Sequence, residues 1–466
     1  MSGETGFGRR RNDPEPVAQP DPVAPTAATP RARSSYFVPA PQSAPVQSTQ
    51  AAELHGLCLN RLDPAAAATM TPDRLRAEVE RLLAEIADER RIQFNAREQH
   101  QLALELVDDM LGLGPLEPLL ADDTITDIMV NGPERVFVER RGRLVELPMR
   151  FRDAQHVARI AQRIASSVGR RVDESSPMVD ARLADGSRVN IIFPPLALDG
   201  PCLSIRKFAR DVIDFDRLIR FGSLTRQIAR VLEIASAIRL NIIVSGGTGS
   251  GKTTLLNAMS RMIGASERIV TVEDAAELQL QQRHVVRLET RPMNLEGRGE
   301  VSQRDLVRNA LRMRPDRIII GEVRGGEAFD MLQAMNTGHD GSMSSIHANS
   351  ARDALMRLES MVQMSNMGQP ERSIRNQLSG AIDLIVQVER QRDGTRRIIQ
   401  VTELCGLEGE VYSLNDIFAF VVSGSGSDGG VEGRWLVSRN RPAFYDRLVY
   451  MGMERAWASA LEEGDQ

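Results

Sequence analysis

A chain of 466 residues is too long for one compact core and predicts two or three domains. Its 42% apolar and 26% charged residues describe an ordinary globular composition, and the net charge of −5 excludes a general attraction to nucleic acid. The three cysteines, Cys58, Cys202 and Cys405, lie far apart without a CxxC pair; this excludes a cysteine zinc ribbon or disulfide framework and fits a reducing compartment.

No apolar run approaches the ~18 residues that span a bilayer. The opening "MSGETGFGRRRNDPEP" is basic in part but has no apolar segment, so it does not read as a secretory signal. The expected location is cytoplasmic, with a membrane reached only through partners. Residues 1–50, rich in Pro, Ala, Ser and Gln, predict a disordered tail, because they offer too little apolar surface to offset ordering entropy. Residues 51–120 predict a helical region. Thr71 and Pro72 suit a helix start, and "RLRAEVERLLAEIADERRIQF" repeats apolar residues at helical spacing. "LALELVDDMLGLGPLEPLL" predicts a second helix stopped by Gly112, Gly114 and Pro115.

Residues 121–212 change texture and predict a compact α+β domain. "ITDIMV", "RVFVER" and "RLVELP" read as short strands turned at Asn131-Gly132 and Arg141-Gly142. A helix over "DAQHVARIAQRIASSVG" follows, then a hairpin about Asp185-Gly186 and a strand at "CLSIRKF". Over residues 213–410 strands alternate with helices: "LNIIVSG", "RIVTVED", "HVVRLET", "RIIIGEV" and "GSMSSIHA" predict βαβ units and a largely parallel sheet, an α/β fold. Residues 411–466 form an extension without an assigned function, in which "VSGSGSDGG" reads as a linker.

"VSGGTGSGKTT" supplies the full phosphate-loop pattern between an apolar strand and a helix. Gly246, Gly247, Thr248, Gly249, Ser250, Gly251, Lys252, Thr253 and Thr254 are the candidate nucleotide-binding residues. Glycines let backbone N–H groups turn toward phosphate oxygens, and the helix N-terminus adds positive potential. In such a loop Lys252 reaches the β and γ phosphates and the Thr253 hydroxyl is a magnesium ligand, so ATP and Mg2+ are the expected ligands.

Three further strand ends are loaded with polar groups: Glu273 and Asp274 with Glu277 close behind, Glu322 followed by Arg324, and His347 with His339 before the same strand. Ligands of doubly wound sheets sit beyond the carboxyl ends of the strands. "RIIIGEVRGG" raises a specific question. Where a magnesium-binding aspartate is normally found stands Gly321, and only Glu322 remains.

The set resembles the secretion ATPases of the type II/type IV superfamily, in which Gly-Glu in this strand is normal. "LGLGPLEPLLADDTITDIMVNGPERVFVERRGRL", "DARLADGSRVNIIFPPLALDGPCLSIRKF" and "RPDRIIIGEVRGGEA" resemble the CpaF-type motors of Tad pili. The resemblance spans roughly residues 75–405. The type IV secretion traffic ATPases share the phosphate-loop half and are the alternative.

The resemblance implies a RecA-like P-loop core, a homo-hexameric ring and ATP hydrolysis. It further implies coupling to inner-membrane Tad platform proteins, with pilus localisation factors as further partners and peripheral attachment to the inner membrane. Glu322 and Glu273 then both organise magnesium through water, with Glu322 as the base and Glu273 as the metal-side carboxylate. These two roles remain open to exchange. His347, or else His339, senses the γ-phosphate, and Arg182, Arg188 or Arg206 supplies a cation to the transferring group, with Arg314 and Arg324 as alternatives in the core. A nucleic-acid translocase is disfavoured by the acidic balance and by only 4% aromatic residues. A non-hydrolysing scaffold would need no water-activating acid.

Overall fold

The computed structural model describes residues 54–462, apart from 55, 59–60, 63–66, 68–69, 93–94, 141, 209–212, 294–297, 366–367 and 427–428. The expectation of a disordered tail over 1–50 lies outside the described residues. Among those described, no helix is long and apolar enough to cross a membrane.

The helices Pro72–Arg90 and Ala96–Leu111 pack as a pair. Leu75, Val79, Leu83 and Ile86 repeat at helical spacing and are buried against Leu102, Ala103 and Leu106. Thr71 occupies the cap position of the first helix, but its side chain makes no capping hydrogen bond. The second helix starts with a full capping box, Asn95 and Glu98 each bonding the other's backbone N–H.

The upstream sheet has six strands: β1 (Ile125–Asn131), β2 (Arg135–Arg140), β3 (Arg143–Leu147), β4 (Met178–Arg182), β5 (Arg188–Ile192) and β6 (Cys202–Arg206). Their order is β3-β2-β1-β6-β5-β4, with every pairing antiparallel. Alternation buries Ile128, Val130, Val136 and Val138 on one face, where the helix Ala154–Ser167 adds Val157, Ile160, Ala161 and Ile164.

The second sheet has nine strands in the order β15-β14-β13-β12-β7-β11-β10-β8-β9. Six run parallel: β7 (Ile242–Gly246), β8 (Ile269–Glu273), β9 (Val285–Glu289), β10 (Arg317–Val323), β11 (Met343–Ile346) and β12 (Leu384–Arg390). β7, β8 and β11 are buried along their whole length, as expected of parallel strands covered on both faces. This is the mixed α/β core that the strand and helix alternation predicts and the RecA-like arrangement that the resemblance implies. β11 lies between β7, which leads into the phosphate loop, and β10, which carries Glu322. Everything polar at the end of β11 therefore stands between those two.

β13 (Arg396–Glu408), β14 (Val411–Ser425) and β15 (Val431–Val437) continue the sheet as antiparallel strands, so one hairpin runs through residue 410. The Gly/Ser stretch read as a linker instead supplies the end of β14 and leads into β15, and the Gly426 N–H donates to the Gly430 carbonyl at 2.9 Å. Cross-strand backbone pairing overrides its flexible composition. The last helices, Tyr445–Tyr450 and Glu454–Glu462, dock Phe444, Leu448, Trp457 and Leu461 into the same core as β7. Arg447 also reaches Asp383 at 2.8 Å.

Candidate nucleotide site

At the carboxyl end of β7 the chain turns through Gly247–Gly251 into the helix Lys252–Ser260. Gly251 caps that helix at φ +101°, a conformation that residues with a Cβ rarely adopt. The turn brings Lys252 inward, 9% exposed, where its Nζ donates to the Gly246 and Gly247 carbonyls at 3.0 Å each. Burial draws the ammonium below its ordinary pKa, opposed by the nearby Glu322 charge. The lysine thus bonds the loop's own carbonyls. Arg396 on β13 supports the loop from outside by donating to the Gly249 carbonyl at 2.9 Å.

A connected chain of polar groups crosses the strand ends. The Thr248 hydroxyl lies 2.9 Å from His347 Nε2, and His347 Nδ1 lies 3.2 Å from Glu322 Oε1. With Glu322 ionised, Nδ1 carries the proton and donates to the carboxylate, leaving Nε2 to accept from Thr248. Glu322 Oε2 takes a 2.7 Å bond from Arg324. Burial works to raise the Glu322 carboxyl, but the Arg324 guanidinium, the His347 bond and the Lys252 charge outweigh it and hold it below its ordinary pKa.

Glu273 ends β8 and is 2% exposed. Its Oε2 accepts from the backbone N–H groups of Glu277 and Leu278 at 2.7 and 2.9 Å, whereas Oε1 is buried without a partner. Gly321 is the neighbour that makes room for it. A Cβ built on Gly321 would stand 2.9 Å from Glu273 Cγ and 3.4 Å from Oε2. The absent aspartate of β10 is thus explained by volume, because its place is taken by a carboxylate from β8.

The folded loop after Glu273 presents Glu277, whose Oε2 lies 3.4 Å from the Thr253 hydroxyl. Arg188 and Arg206 of the upstream sheet both approach Glu277 Oε1 at 3.9 Å. Arg182 is engaged by Glu289 at 3.0 Å, beside the end of β9. The structure therefore gathers Lys252, Thr253, Thr248, Glu322, Arg324 and His347, with Glu273 behind them. Arg314 and His339 are not among them. They precede β10 and β11, at the opposite end of the sheet from the phosphate loop.

Glu277 is the residue that sequence reasoning noticed without assigning a role. Its signal was its place four residues after Glu273 in one acidic stretch, but only the buried turn shows which carboxylate reaches Thr253. Arg396 gave no local signal, since β13 is brought to the loop by sheet pairing alone.

Magnesium takes oxygen ligands, keeps several waters, and is commonly held by one or two protein oxygens together with substrate phosphates. The Thr253 hydroxyl and the Glu277 carboxylate fit that requirement. Among the described residues no cluster of three or more acidic, His or Cys side chains forms an all-protein cage. Beside Ser250, Gly251 and Thr254 opens a cavity of about 450 Å³. Ile213, Leu218, Leu224 and Ile398 give it an apolar wall, while Arg143, Arg390 and Arg396 edge it. Its size and mixed lining are those of a small-molecule site.

Burial pushes the Glu273 carboxyl up from 4.5 to about 7, against the two backbone bonds that favour its charge. A raised acid pKa makes the folded state bind the extra proton. Its contribution is therefore full below pH 4.5 and is lost as pH rises through about 7. Glu273→Gln should remove a slope of up to about 1.4 kcal/mol per pH unit across that window. Urea midpoints from pH 4.5 to 8 check this, and parallel curves for the two proteins would refute it.

Residues 109–405 match the family described as type II/IV secretion system protein. A protein of Mycobacterium tuberculosis, assigned provisionally to conjugal transfer, is 41% identical over 312 residues, covering 66% of this chain and 88% of its own length. The type IV secretion system protein PtlH of Bordetella pertussis is 36% identical over 323 residues, covering 63% of this chain and 95% of its own. The solved VirB11 ATPase of the Brucella suis type IV secretion system, in complex with sulphate, is 31% identical and covers 62% of this chain and 95% of that one, with a TM-score of 0.34. With the phosphate loop, the Gly-Glu strand and the histidine between them inside the matched span, the chain belongs to the type II/IV secretion system protein family.

Proposed function

We propose that the protein is an ATP-hydrolysing motor, working as a homo-hexamer on the cytoplasmic face of the inner membrane. The observation that carries the hydrolysis is the convergence of Lys252, Thr253, Glu277, Glu322 and His347 at the ends of neighbouring strands. The cavity beside Thr254 takes the nucleoside, and the phosphates lie along the loop, where Lys252 exchanges the Gly246 and Gly247 carbonyls for phosphate oxygens. Thr253 and Glu277 hold the magnesium, with Glu273 fixing the loop that presents Glu277. The bound metal neutralises phosphate charge. Glu322 orients the attacking water and accepts its proton. Arg188 and Arg206 bring positive charge from the upstream sheet as the two sheets close on the nucleotide.

The work done is assembly, and retraction by the same motor, of a Tad-type pilus through inner-membrane platform proteins. That reading is supported by the sequence blocks of the upstream domain. The second reading, a type IV secretion traffic ATPase, is favoured by relatives named for conjugal transfer and type IV secretion. Deletion of the gene separates them: loss of surface pili with unchanged export selects the first, and loss of substrate transfer with pili intact selects the second.

Hydrolysis is tested on purified protein. Magnesium-dependent ATP turnover by a particle of hexameric mass is expected. Lys252→Ala should weaken nucleotide binding by at least about tenfold, since a charge-assisted bond to phosphate is lost. Tight ATP binding with no turnover in the unaltered protein would make it a nucleotide-gated scaffold.

A further inference from the structure

Arg324 stands directly after the catalytic strand end and joins two carboxylates. Its Nη2 bonds Glu322 Oε2 at 2.7 Å, and its Nη1 lies 3.5 Å from Asp274 Oδ2. Asp274 is already held as an acceptor, because the Thr290 hydroxyl bonds its Oδ1 at 2.8 Å. The backbone beneath Arg324 is fixed as well. Glu327, buried, takes the N–H groups of Arg324 and Gly325 at 2.6 and 2.7 Å. Only the side chain is left to move, and it is 59% exposed, so it can swing without opening the core.

A carboxylate that accepts a guanidinium bond has spent one lone pair and part of its basicity. In this arrangement Glu322 is bonded on both oxygens, by Arg324 on one and His347 on the other. Each oxygen keeps a second lone pair, so the two bonds lower the basicity of the carboxylate without closing it to water. The Arg324 bond is the one that can be exchanged, because a partly exposed pair is weak and a second acceptor stands within reach.

We propose that Arg324 is a latch on Glu322, restraining that carboxylate while bonded to it and releasing it when the guanidinium passes to Asp274. The inference rests on Glu322 being the water-activating group. Arg324 is then a positioning residue whose effect on turnover passes through Glu322. It restrains the basal rate, and the Asp274 loop sets how readily the restraint is released.

The test is a double-mutant cycle on full-length protein with Mg-ATP, reading kcat and KM separately. Arg324→Ala is expected to raise kcat on the order of three- to tenfold with KM little changed, since the lost bond acts on the base and not on binding. Asp274→Asn, which removes the alternative anchor, is expected to lower kcat several-fold. In the Arg324→Ala background that second effect should vanish, a non-additivity that a merely structural loss would not produce. A kcat that falls or stays level in Arg324→Ala, or an Asp274→Asn effect that persists there, overturns the latch. Absence of turnover in the unaltered protein and in every variant sinks the hydrolase reading and the latch together. Turnover with an additive cycle sinks the latch alone.

Discussion

Glu322→Gln should bind ATP within about twofold of the unaltered protein and turn it over about 10²- to 10⁴-fold more slowly, the usual worth of a positioned general base. The amide keeps the shape of the side chain and can still accept from His347, so the loop from Thr248 to Glu322 is preserved. What it loses is the ability to take a proton from water and, because the amide NH2 cannot accept, the bond from Arg324. The competing base is Glu273. Its Oε2 is committed to two backbone N–H groups and the residue is 2% exposed, which leaves it poorly placed to receive a proton from a substrate water. If Glu273 were nevertheless the base, Glu322→Gln would retain most of its turnover and Glu273→Gln would lose it. Single-turnover measurement with nucleotide binding followed in parallel distinguishes these results.

Gly321→Asp should be the more damaging change, although it restores the acidic pair usual in nucleotide-hydrolysing strands. The new Cβ would meet Glu273 Cγ at 2.9 Å, and Glu273 cannot step aside while Glu277 and Leu278 hold its carboxylate. A second carboxylate would also enter a buried site beside the first, which disfavours both charges. Overpacking and charge burial together predict a loss of about 3 kcal/mol or more of stability. Turnover should fall with it, because displacing Glu273 displaces the loop that carries Glu277. Adding Glu273→Ala should recover part of the stability by vacating the space. Urea denaturation of the single and double variants decides it, and a Gly321→Asp protein as stable as the original would remove the steric account.

The pair answers the question that "RIIIGEVRGG" raises when read alone. Within the strand the glycine is an absence. In the sheet it is half of an exchange, in which β8 contributes the carboxylate and β10 contributes the room.

The sequence by itself determined what depends on neighbours along the chain. The phosphate loop is such a case, since glycines at fixed spacing, an apolar run before and a helix after are all local properties, and the loop stands at residues 246–253 as written. The strands from β1 to β11 were legible for the same reason, through alternation in the upstream sheet and unbroken apolar runs in the parallel one. Tertiary structure alone decided what depends on distance across the sheet. Glu273 and Glu277 are equivalent acids in the chain, yet burial of the first and presentation of the second at Thr253 follow from a turn closed by backbone bonds. Arg182, Arg188 and Arg206 look interchangeable as strand arginines, but register sends one to Glu289 and the other two to Glu277. Within residues 411–466 the stretch "VSGSGSDGG" reads as a linker because it is rich in Gly and Ser. The described residues of this extension are held by pairing of β14 with β13 and by burial of Trp457 and Leu461 in a core that includes Ile228 and Leu232, more than two hundred residues earlier. Free energy from such contacts is absent from any local window of sequence, because it arises only when the distant partner is in place.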